Sequence, residues 1–139
     1  MSKLKTRFTQ LVALKKDIVQ KSEQALFQAN QSLQNAQNEL QNSYDILNTM
    51  HEPTNGSVSQ LLANRTLLSS QRGAIQHNKE WIKFAQQQVN QAKEQLQKDM
   101  IEYEKFKYLE LEEIKKILKA QKQQEAKDLD EVALMTYKG

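Results

Sequence analysis

The chain has 139 residues, of which 38% are hydrophobic and 6% aromatic, with one Pro, three Gly and no Cys. The lack of Cys excludes disulfides, thiol catalysis and Cys-based zinc sites, and the scarcity of Pro and Gly favours long helices over a thick core. The net charge of +3 is unevenly spread: residues 1–21 carry Lys3, Lys5, Arg7, Lys15, Lys16 and Lys21 against Asp17 alone, whereas residues 22–64 contain no Lys or Arg. No run reaches the roughly 18 apolar residues of a membrane span, and Leu11–Leu14 is too short for a secretory core, so a soluble, cytoplasmic protein is expected.

The first expected element is a helix over about 3–51. Val12, Val19, Leu26, Leu33, Leu40 and Leu47 recur every seven residues, as in a coiled-coil seam. Three residues after members of that row come Ser22, Ala29, Ala36, Ser43 and Met50, mostly small, which suits close approach of an opposing backbone. A turn over 52–57 follows in "HEPTNGSVSQ": Pro53 stops the helix, Asn55-Gly56 suits a positive φ, and Ser57 with Gln60 has the spacing of a capping box. A second helix is expected over about 58–136. It carries the row Leu61, Leu68, Ile75, Ile82, Val89, Leu96 and Tyr103, with Ala85 and Ala92 in the small flanking position.

The two rows mirror each other. Leu47 with Leu61, Leu40 with Leu68, and Leu33 with Ile75 each sum to 108, which puts the pivot at 54, inside the turn. The expected fold is therefore all-α: a long antiparallel two-helix coiled-coil hairpin, one elongated unit over 1–139, its arms on the order of 75 Å long. In this register helix 2 outruns helix 1 after about residue 107 and forms a C-terminal helical overhang. Near its start Met100, Ile101, Phe106, Tyr108, Leu109, Leu111, Ile114, Ile117 and Leu118 cannot all face one seam.

Little in the sequence suits chemistry. A two-helix hairpin offers no water-excluding pocket, so no catalytic residue is expected. His51 and His77 are 26 residues apart and do not meet under the mirror pairing, so neither a metal site nor a cofactor is expected. Gly56 belongs to the turn, and Gly73 reads as a point of close approach or strain within helix 2. Glu110, Glu112 and Glu113 before Lys115, Lys116 and Lys119 suit weak ion pairs on a solvated helix. Arg65, Arg72, Lys79 and Lys93 flank the seam, where facing an acidic helix 1 is a better account than tracking a phosphate backbone. Trp81, Phe84 and Tyr44 lie off the seam, with two readings open: thicker packing of the hairpin, or an aromatic docking patch.

The hairpin, its basic N-terminus, its small seam residues and its overhang together resemble the FliJ family, the stalk proteins of flagellar type III export. The most specific match is "EAKDLDEVA", in which Lys127, Leu129, Asp130, Glu131 and Ala133 fit the family's basic-x-apolar-Asp-Glu-x-Ala ending; "SYDILNTMHEPTNG" is a second similarity. The resemblance implies a non-enzymatic, cytoplasmic protein of flagellum biogenesis and motility, peripherally associated with the inner-membrane export apparatus. Its implied partners are the hexameric export ATPase, which it would enter and activate, the cytoplasmic domain of the export gate, and export chaperones. No specific nucleic acid and no small-molecule substrate is implied. On this resemblance Phe8, Leu11, Leu129, Asp130, Glu131 and Ala133 are expected to meet the ATPase ring. Leu40, Tyr44, Leu68, Ile75 and Trp81 are expected to meet the gate. The alternatives are a holdase-type chaperone or adaptor hairpin, and a tether for nucleic acid or anionic membrane through the basic N-terminus.

Overall fold

A computed structural model describes residues 4–51 and 56–138, Lys138 by its backbone alone. It is all-α. Helix α1 spans Thr9–Thr49 and helix α2 spans Val58–Lys138. Both are rich in Gln, Leu and Ala, which lose little freedom in a helix, and neither contains Pro.

Each helix start is fixed by side-chain caps. The Thr9 hydroxyl accepts from the Thr6 N–H at 2.8 Å, and the Thr6 hydroxyl accepts from the Phe8 N–H at 3.0 Å. At α2, Gln60 N–H donates to Ser57 Oγ and Ser57 N–H donates to Gln60 Oε1, both at 3.3 Å, which forms the capping box. Gly56 does not adopt a positive φ; instead, a Cβ there would collide with the Gln60 side chain that closes this box. Pro53 and Asn55 of the expected turn lie outside the described residues.

The chain divides into two compact units, one comprising Met1–Lys21 with Gln97–Gly139 and the other Ser22–Leu96. In the Ser22–Leu96 unit the helices run antiparallel. The less exposed side chains of α1 include Leu26, Ala29, Leu33, Ala36, Leu40 and Ser43, at alternating three- and four-residue steps. Those of α2 include Gln71, Ile75, Asn78, Ile82, Ala85 and Val89, at the same steps. Ala36, Ala85 and Val89 are almost completely buried, so the small row does bring the backbones close.

A polar layer interrupts this apolar seam. Buried Ser43 donates through Oγ to the Glu39 carbonyl and accepts from Asn78 Nδ2 at 2.5 Å, while Gln71 Nε2 donates to the Ser43 carbonyl at 2.8 Å. In the other unit, Phe8 packs against Phe106 with the rings tilted by 42° and their centroids 6.5 Å apart.

These contacts fix a register different from the mirror pairing. Ser43 with Gln71 and Phe8 with Phe106 both sum to 114, and the other cross-helix polar contacts sum higher still. The small row thus pairs at 114 and the leucine row at 115, one heptad beyond the 107 and 108 of the mirror pairing, which brings Leu33 level with Ile82 and Leu40 with Ile75. A seven-residue repeat determines phase only to within a whole heptad. The second seam row decides between registers. In the observed register Ala29 meets Ala85 and Phe8 meets Phe106; one heptad back, in the mirror register, Ala29 would meet Asn78 and Phe8 would meet Asp99.

Candidate protein-binding surfaces

In the unit that contains the termini, α1 and α2 are joined by aromatic and charged contacts. The Lys15 ammonium of α1 lies 5.6 Å from the Phe106 ring centroid of α2, while the Arg7 guanidinium lies 5.0 Å from the ring of its own neighbour Phe8. Arg7 faces Glu113 at 3.8 Å and Lys15 faces Glu102 at 3.9 Å. These ion pairs are long and partly solvated, so each adds at most a few tenths of a kcal/mol, less than the ring contacts.

Phe8 is half-buried against Phe106 of α2, and Leu11 is half-buried as well. Leu129, Asp130, Glu131 and Ala133 are exposed much further along α2, on the order of 35 Å beyond Phe106 along a straight helix. The structure therefore does not bring the two halves of the expected ring-binding set together. From Leu118 to Tyr137 every side chain of α2 is exposed, and this stretch includes Leu129 at 70% and Met135 at 75%. Helices of this kind draw their stability from packing an apolar face, and here the face is unpartnered.

In the Ser22–Leu96 unit, the residues expected to meet the gate are of two kinds. Ile75 is buried and Leu40 and Leu68 are half-buried, all three on the seam, where they hold the helices together. Tyr44 lies at the seam edge, with the Lys79 ammonium 5.8 Å from its ring centroid. Trp81 is about half exposed and leans on Phe84, centroids 5.7 Å apart, beside a shallow cleft of about 320 Å³ floored by Ala25, Ala29 and Ala85. Phe84 belongs with Trp81 in that patch and was not among the expected gate residues. Their three-residue spacing on one helix face is the signal that joins them.

Gly73 corrects the sequence reading, since a Cβ added there would meet nothing within 4 Å. It is neither a close approach nor a strain point. Among the described residues no group of three or more His, Asp or Glu could hold a metal ion, and no helix is long and apolar enough to cross a membrane.

The chain is an all-α helical hairpin that exposes an aromatic patch at Trp81 and Phe84 and an unpartnered end of α2. The family model for the flagellar FliJ protein matches residues 4–139, and the chain belongs to that family, a non-catalytic component of flagellar export. No curated protein and no solved structure matches the chain.

Proposed function

We propose that this protein couples the hexameric export ATPase to the cytoplasmic domain of the export gate. The observation that carries the reading is the fully exposed run from Leu118 to Tyr137, whose apolar side chains have no covering surface of their own. Placed within a ring, that run would bury Leu129 and Ala133 against the wall, and Asp130 and Glu131 would pair with basic side chains there. Phe8 and Leu11 would act in a different way, by holding α1 against α2 at Phe106 so that α2 projects alone.

An asymmetric helix in a symmetric ring makes different contacts with each subunit and so biases their nucleotide states, a coupling free energy between distinct sites. The gate contact is assigned to Trp81 and Phe84 with Tyr44, since these present free aromatic surface while Leu40, Leu68 and Ile75 face the seam. Binding of export chaperones would use the same aromatic patch.

The test is a reconstitution in which the purified chain is added to the purified export ATPase. A coupling protein raises the hydrolysis rate. A chaperone or adaptor hairpin binds export substrates and leaves the rate unchanged, and an electrostatic tether loses its ligand between low and moderate salt.

A further inference from the structure

The free end of α2 is complementary to itself. Leu111, Leu118, Lys122, Glu125, Leu129 and Val132 lie on one heptad face, and all six are exposed. Charge along this stretch changes sign midway. From 114 to 124 there are Lys115, Lys116, Lys119 and Lys122 and no carboxylate; from 125 to 131 there are Glu125, Asp128, Asp130 and Glu131, with Lys127 the single base. Among the described residues Lys122, Glu125 and Glu131 take part in no ion pair. Lys115 alone in this stretch is paired, with Glu112 at 3.4 Å.

We propose that this stretch binds a second copy of the same chain, antiparallel, about a two-fold axis between Gln123 and Gln124. In that arrangement Leu118 packs on Leu129 of the second copy, and Lys122 meets its Glu125. The two-fold axis repeats both pairs, so two charge-paired central layers are flanked by two leucine layers. Charge selects the direction, because parallel pairing would set each basic block against the other basic block and each acidic block against the other acidic block. The interface covers the Leu129 face, and so provides that face with an occupant in the free protein.

The test needs only the full chain in solution, without ATPase or gate, so its outcome is independent of the coupling role. Sedimentation equilibrium at low salt should give a concentration-dependent dimer. Reversing the basic block (Lys115→Glu, Lys119→Glu, Lys122→Glu) should weaken self-association by about tenfold or more, and so should reversing the acidic block (Glu125→Lys, Asp128→Lys, Glu131→Lys). Mixing the two reversed chains should restore a dimer that contains one of each. Leu118→Cys and Leu129→Cys chains should form a disulfide when mixed but not separately, since like positions would lie about 16 Å apart along the axis. A monomer at all concentrations, a dimer indifferent to both reversals, or homotypic cross-links through Leu118→Cys would overturn the proposal.

Discussion

The register of the Ser22–Leu96 unit can be read directly by cross-linking. The chain contains no cysteine, so every engineered pair reports without background. With Ser43 bonded to both Gln71 and Asn78, Leu33 lies level with Ile82, whereas the pairing implied by the leucine rows alone sets it level with Ile75. Those two partners are one heptad apart on α2, on the order of 10 Å along the axis. A disulfide tolerates Cα separations only up to about 7 Å, so the two registers exclude one another in this assay. Leu33→Cys with Ile82→Cys should oxidise rapidly to an intrachain link, seen as a faster band on a non-reducing gel and as one bridged peptide by mass spectrometry. Leu33→Cys with Ile75→Cys should stay reduced under the same conditions. Rapid intrachain oxidation of the second pair with little of the first would refute the register. Links between chains at these sites would refute the intramolecular pairing altogether.

Two further substitutions probe local claims. Because a Cβ at Gly73 meets open space, Gly73→Ala should raise stability by up to about 1 kcal/mol in urea unfolding; a loss of stability would mean that the helix is strained there. Trp81→Ala with Phe84→Ala removes exposed rings, so helicity by circular dichroism should hold while affinity for the gate domain falls about tenfold or more; unchanged affinity would move the gate contact elsewhere.

Most of the seam was legible because burial follows period. The Val12 row and the small row through Ala29, Ala36 and Ser43 carry one unambiguous stripe, and the Ser57–Gln60 box announces itself by residue type and spacing. The heptad register was not legible from the leucines, since identical spacing allows every whole-heptad slip. It resides in Asn78, Gln71 and Ser43, whose polar side chains do not register in an apolar pattern although they occupy seam positions. Leu40, Leu68 and Ile75, expected at the gate, are seam residues as well, and an apolar pattern alone does not separate the two roles. Gly73 misled for a related reason, because a glycine inside a helix suggests close approach only when something is near it. The exposed end of α2 was legible as a stripe short of partners, though its separation from Phe8 and Leu11 follows only from the observed end of α1.

The coupling role rests on the exposed end of α2, and truncation after Gln124 tests it most directly. Residues 125–137 are exposed throughout, so the truncated chain should retain the thermal midpoint of the full protein within a degree or two. In the same preparation, stimulation of the export ATPase should fall to the rate of the ATPase alone. Full stimulation by the truncated chain, with its fold intact, would contradict the account.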